Sequence, residues 1–299
     1  METQVEFYKI RTLAERFSAT SDFVCKNGKV WVKNILPVGL ALALLMGYFT
    51  QCNVQKIYAM IENSADIRSG YTLADAGTAI VSLLFSLFIC SMSGAILSKY
   101  VEGSLRPETG WADLKGRFFS IAGKLFVQYC IVALVILAVM LILTVPLALL
   151  AAGSFSVMAG MLFALVFLLI LVLVIVLLPA FSLIQYPVYL ESMSAWKSIQ
   201  KGFRKGFRYW GSTFVTCLLG LVIVGVITYI LTMPWILYTI FAVESVGWIE
   251  SLLLALIYVG LLCLIPLYII FMAFQYTSIT EREKSKFPPE PSVESGERL

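Results

Sequence analysis

At 299 residues the chain has room for one or two soluble domains, but it is 60% hydrophobic and only 13% charged, with a mean hydropathy of +0.90. Soluble domains are about half apolar and a quarter charged, so this composition excludes an ordinary soluble fold. A net charge of +4 is modest, and the absence of histidine excludes Ser-His-Asp and Cys-His catalysis, His-ligated iron or zinc, and a histidine proton relay.

Residues 1–33 are polar and periodic, and no small-residue cleavage site follows the first apolar run, so they do not read as a signal peptide. Ile10, Leu13 and Phe17 form an apolar stripe among Lys9, Arg11, Arg16 and Lys26, the pattern of a helix lying in a membrane interface. It leads into a first span at about 35–51, and a polar loop at 53–72 connects this to a second span at about 77–97. Residues 99–124 repeat the interfacial pattern, with Trp111, Leu114, Phe118 and Ile121 against Lys115, Arg117 and Lys124. The third span is about 125–149 and the fourth about 158–189. The fourth exceeds the roughly 20 residues a bilayer needs, and Pro179 and Pro187 are expected to kink it.

The next stretch, Glu191 to Trp210, places Met193, Trp196, Ile199, Phe203, Phe207 and Trp210 at steps of three or four. On a helix these share one stripe, and Lys197, Lys201, Arg204, Lys205 and Arg208 take a neighbouring arc. Such a helix is expected to lie flat at the surface, rings toward lipid and cations toward headgroups. A fifth span follows at about 212–233, ended near Pro234, and a sixth at about 251–274 with Pro266 inside. The charged tail 281–299, with Pro288, Pro289 and Pro291, is expected to be disordered and cytoplasmic. The fold class is thus an all-α integral membrane protein. One domain, 1–280, holds six transmembrane helices as three hairpins, each preceded by a cytoplasmic amphipathic helix. Leu13-x3-Phe17, Leu114-x3-Phe118 and Ile199-x3-Phe203 mark the three segments and hint at an internal repeat.

Charge sets the orientation. Lys and Arg number six in residues 1–33, five in 99–124, five in 191–210 and four in the tail, twenty in all, against Lys56 and Arg68 on the other side. The positive-inside rule then puts both termini and the amphipathic linkers in the cytoplasm.

The cations at 197–208 have three uses to weigh. They recruit anionic lipid at about 1 kcal/mol each, grip an acidic membrane partner, or enforce topology, and the last is the expected role. Gly202 and Gly206 share one edge and would admit close packing against a span. Glu191 either pairs with a cation or favours the helix N-terminus, the second being expected. No Asp, Glu, Lys or Arg lies inside the spans, which counts against a coupled transporter. Gln128, Gln185 and Gln275 are expected to bond between helices. Pro146, Pro179, Pro234 and Pro266 raise the alternative of broken, moving helices. The six cysteines are scattered without a C-x-x-C pair, so no disulfide framework, metal site or cofactor is expected. The carboxylates Glu62, Asp66, Asp75, Glu244 and Glu250 show no catalytic spacing, so no enzyme is expected.

Y-P-V-Y-L-E-S-M-S-A-W-K-S-I-Q-K-G-F, through Pro187, Glu191, Ala195, Ser198 and Gly202, resembles a motif of bacterial six-span membrane proteins. That group includes the membrane domain of glycerophosphoryl diester phosphodiesterases and related families of unknown function. The opening K-I-R-T-L-A-E-R-F is similar to the group's N-terminal surface helix. The resemblance implies a six-helix fold in the bacterial cytoplasmic (inner) membrane. It does not carry over the phosphodiesterase activity, for which the chain has no domain. It also leaves no place for carotenoid-oxygenase chemistry, which needs iron held by histidines. The expected function is a non-enzymatic protein that binds membrane lipids, anionic headgroups on the cytoplasmic side, or a membrane-protein partner, and not nucleic acid. The alternative is a transporter or flippase for a neutral or lipid-like substrate.

Overall fold

The computed structural model describes residues 5–62, 73–152, 156–241 and 246–286, all helix and connecting turn with no strand among them. The elements are α1 (Leu13–Glu62), α2 (Leu73–Val101), α3 (Trp111–Ala152), α4 (Ser156–Leu183), α5 (Tyr186–Glu191), α6 (Ala195–Arg208), α7 (Trp210–Phe241) and α8 (Gly247–Lys286). Six stretches, the fourth made of α4 with α5, are long and apolar enough to cross a membrane. The chain is a multi-pass membrane protein.

Several boundaries differ from the sequence reading. Both the N-terminal segment and the 111–124 segment run unbroken into their spans, so of the three basic segments only 191–210 holds a separate helix. At the first junction no residue interrupts the ladder. Asn34 turns its side-chain amide back onto the Val30 carbonyl at 2.8 Å, within its own helix. Residues 53–62 continue α1 instead of opening a loop, while Asp66, Arg68, Glu244 and the link at 153–155 lie outside the described residues. Pro234 does not end its span: α7 runs through it to Phe241, as helices surrounded by apolar neighbours tolerate. The expected tail is helical to Lys286, and only 287–299 lies outside the described residues. The fourth span does break, between Leu183 and Tyr186. Pro187 has no N–H to give the Leu183 carbonyl, so the helix restarts with proline in its first turn.

α8 packs against α1, α7 and α2, while α2 also touches α3 and α5, and α6 rests on α4. Below Pro37 the approach of α1 to α8 is close and antiparallel. A Cβ on Gly39 would meet Leu262, and one on Gly47 would meet the Ser251 carbonyl and Ala255. Above it the relation changes. Phe17, Val24, Gly28, Trp31 and Ile35 line clefts with α8 residues 262–271. The largest fully buried side chains, among them Tyr186, Tyr189, Tyr276, Phe23, Phe274, Ile96 and Leu114, gather at the α6 end of the bundle.

Candidate functional site: the α6 clamp

α6 owes its position to small residues. Ser198, Gly202 and Gly206 recur every four positions and are buried with Ala195 against the end of α4. A Cβ on Gly202 would sit 2.5 Å from the Ile184 Cα, and one on Gly206 2.5 Å from the Ala180 Cα. Backbone meets backbone at both, the close approach that small-x3-small spacing permits. Ser198 Oγ donates to the Ile184 carbonyl at 2.5 Å. Gln128 of α3 reaches the same carbonyl at 3.1 Å and the Ala195 carbonyl at 3.4 Å. The break between α4 and α5 exposes the Ile184 carbonyl, and α3 and α6 satisfy it.

Between α5 and α6 the chain turns at Ser192, a non-glycine residue with φ of 52°. Its carbonyl accepts Lys124 Nζ at 2.9 Å. The turn brings Glu191 beside α6. Lys201 Nζ donates to Glu191 Oε2, and Tyr276 Oη donates to Glu191 Oε1 at 2.7 Å. On the next turn Lys205, only 2% exposed, reaches Thr280 Oγ1 at 2.5 Å and Glu283 at 3.4 Å. Its ammonium also lies 4.4 Å from the centre of the Tyr276 ring. Burial pushes the Lys205 ammonium below its ordinary value, and Glu283 pulls it back up in part. Arg208 approaches the same Glu283 at 3.7 Å. Two carboxylates and a tyrosine thereby tie α5, α6 and α8 together.

The cations of this stretch therefore part company. Lys201 and Lys205 face the protein, which corrects the expectation that all five share a headgroup-facing arc. Glu191 takes partners and does not serve as an unpaired charge at a helix N-terminus. Trp196 and Phe207 are 58% and 45% exposed, with Lys197 and Arg204 also on the outside and Phe203 half-buried against Phe181. Met193 and Trp210 fall outside α6. Pro187, Glu191, Ala195, Ser198 and Gly202 all lie at this junction of α4, α5 and α6. Gln275 bonds Ser212 and Thr213 on α7 at 3.3 and 3.2 Å, an interhelix role like that of Gln128. Gln185 instead accepts Tyr189 Oη at 3.0 Å, one turn along its own helix. Among the carboxylates considered for catalysis, Asp75 pairs with Lys56 at 2.6 Å and Glu250 accepts the Gln51 amide.

Tyr276, Thr280 and Glu283 complete the clamp and carry no signal as individual residues. Their spacing of four and three puts them on one face of a helix. That signal disappears if the helix is taken to end before Glu281. Comparison of the chain with protein-family models, with curated proteins and with solved structures finds no match.

Proposed function

We propose that this chain is a non-enzymatic protein of a bacterial cytoplasmic membrane that binds lipids, anionic headgroups above all, through the outer face of α6. In this reading the six spans form three hairpins. The basic first halves of α1 and α3 and the whole of α6 lie in the cytoplasmic interface, and both termini are cytoplasmic. Twenty of the 22 Lys and Arg residues belong to that side. The observation that carries the reading is the division of α6. Its small residues and Lys205 are spent on the protein, while Trp196 and Phe207 stand uncovered beside Lys197 and Arg204. Exposed rings next to exposed cations, at the end of a bundle of membrane-spanning helices, match the interface between acyl chains and headgroups. Gln128 and Gln275, buried polar groups that a carrier would need along its path, turn their amide N–H groups to helix contacts instead.

Native mass spectrometry of the gently extracted protein tests this. The wild type is expected to retain a pool of anionic phospholipid. Lys197→Glu with Arg204→Glu is expected to thin that pool about tenfold or more, at about 1 kcal/mol per cation. An unchanged pool counts against lipid binding, and co-purification of an acidic membrane protein that the double variant loses would favour a partner. Flux of a labelled lipid in proteoliposomes, above empty vesicles and lost on span mutations, would favour the transporter reading.

A further inference from the structure

A second basic feature shares no residue with α6. Where α1, α7 and α8 meet, Thr12, Arg16, Ser212, Thr216 and Arg282 line a hollow of about 410 Å³ whose walls contain no carboxylate. Arg16 is 3% exposed. It donates to Thr216 Oγ1 at 2.9 Å and to the Arg11 carbonyl at 3.0 Å, and its Nε has no hydrogen-bond partner. Neither Arg16 nor Arg282 forms an ion pair among the described residues. The acids flanking Arg282 are engaged elsewhere, Glu281 with Lys284 and Glu283 with Lys205 and Arg208. Glu15, next to Arg16, accepts the Thr12 N–H at 2.7 Å and lines a different hollow. A buried guanidinium sharing a pocket with a second one, and no carboxylate, is a costly arrangement that an anion relieves.

The walls change character with depth. Ser212 and Thr216 of α7 are followed on the same face by Gly220, Ile223 and Ile227, and Arg16 of α1 by Thr20 and Val24. Those lower residues, with Tyr268 and Phe271 of α8, line an apolar groove of about 320 Å³. A Cβ on Gly220 would lie 2.8 Å from the Tyr268 ring, so the missing side chain lets that ring form the groove wall. The groove lies between the first half of α1, α7 and α8.

We propose that this composite is a site for one anionic phospholipid, its phosphate held between Arg16 and Arg282 and one acyl chain lying in the groove below. Guanidinium forks and hydroxyls match phosphate oxygens, and the apolar continuation separates a lipid from free phosphate. The site deepens the lipid-binding reading and rests on it, but it uses none of the α6 surface.

Full-length protein, delipidated in a non-ionic detergent, is titrated with phosphatidylglycerol or phosphatidylcholine and read by native mass spectrometry. One phosphatidylglycerol per chain is expected, bound about tenfold or more tighter than phosphatidylcholine, with millimolar inorganic phosphate failing to displace it. Arg282→Gln, a change at a half-exposed side chain, is expected to weaken it about tenfold or more by removing a charged hydrogen-bond donor. Ser21→Trp, which fills the groove from an exposed position, is expected to do the same. Unchanged thermal unfolding in both variants separates lost binding from lost fold. Lys197→Glu with Arg204→Glu is expected to keep the single lipid even where the looser pool falls. Equal affinity for the two lipids, or no effect of Arg282→Gln, overturns the proposal. So does displacement by phosphate with Ser21→Trp inert, which would mark a plain anion hollow. Loss of the single lipid in the α6 double variant overturns the separateness of the site.

Discussion

The α6 end of the bundle and the middle of α4 differ in how far the protein covers them, and their sequences use apolar residues in opposite ways. In α2, which runs into the α6 end, 61% of the most apolar window is buried inside the protein, against 11% in the α4 span. Along α4, Leu165, Phe167, Leu168, Leu169 and Val172 are all exposed. In water that pattern would be a liability. In a bilayer lipid covers such surface at no cost, so it supplies little force for packing one helix on another. At the α6 end specificity comes instead from groups that lipid cannot replace. These are the glycines that let backbones touch, the carbonyls freed at the α4–α5 break, and the Glu191 and Glu283 carboxylates. In this protein, then, hydrophobicity marks where the membrane is, and small and polar residues mark where the protein is held together.

The sharpest way to break this contrast is Gly206→Leu. Its Cβ would meet the Ala180 backbone at 2.5 Å, which has no rotamer to yield. A loss of about 3 kcal/mol or more is expected from overpacking, read as a large fall in the thermal unfolding midpoint in detergent. Stability within about 1 kcal/mol of wild type would mean that the seam between α4 and α6 is not tight. Glu191→Ala removes the acceptor shared by Lys201 and Tyr276. About 2–3 kcal/mol should be lost, as for a charged acceptor with two partners in a half-buried site. If Lys201→Ala and Tyr276→Phe are additive with it in double-mutant cycles, the network does not act as a unit.

A smaller effect concerns pH. Burial lowers the Lys205 ammonium from its ordinary 10.5, so between the folded value and 10.5 the unfolded chain binds more protons than the folded one. Stability then rises with pH across that interval through this group. The rise should vanish in Lys205→Met, and the difference between the two unfolding curves isolates it from other titrations. Equal slopes in the two proteins would refute the assignment. The smallest change expected is Leu168→Ala in α4, within about 0.5 kcal/mol because the residue packs on lipid. A loss of 2 kcal/mol there would show that α4 hides a protein contact and would weaken the contrast.

Much of this fold was legible in the chain itself, for reasons seen in particular residues. Six apolar runs stand out because a bilayer demands about 20 apolar residues in a row, a local requirement. The 191–210 stretch likewise betrays a helix through the spacing of its rings and cations. Pro187 marks a break because a missing N–H is a property of one residue. Helix ends were harder. Nothing in the sequence shows that Asn34 caps no junction, or that Glu281 continues a helix whose Glu283 meets Lys205.

The sequence by itself determined the membrane class and six apolar spans, which follow from transfer free energies summed along short stretches. Tertiary structure alone decided which cations stand exposed and which face a carboxylate. It also decided that Gly202 and Gly206 carry a backbone contact, and that Arg16 and Arg282 share a hollow. Those outcomes join residues as far apart as 16 and 282, and no local free energy specifies a meeting that only the packing of α1, α7 and α8 brings about.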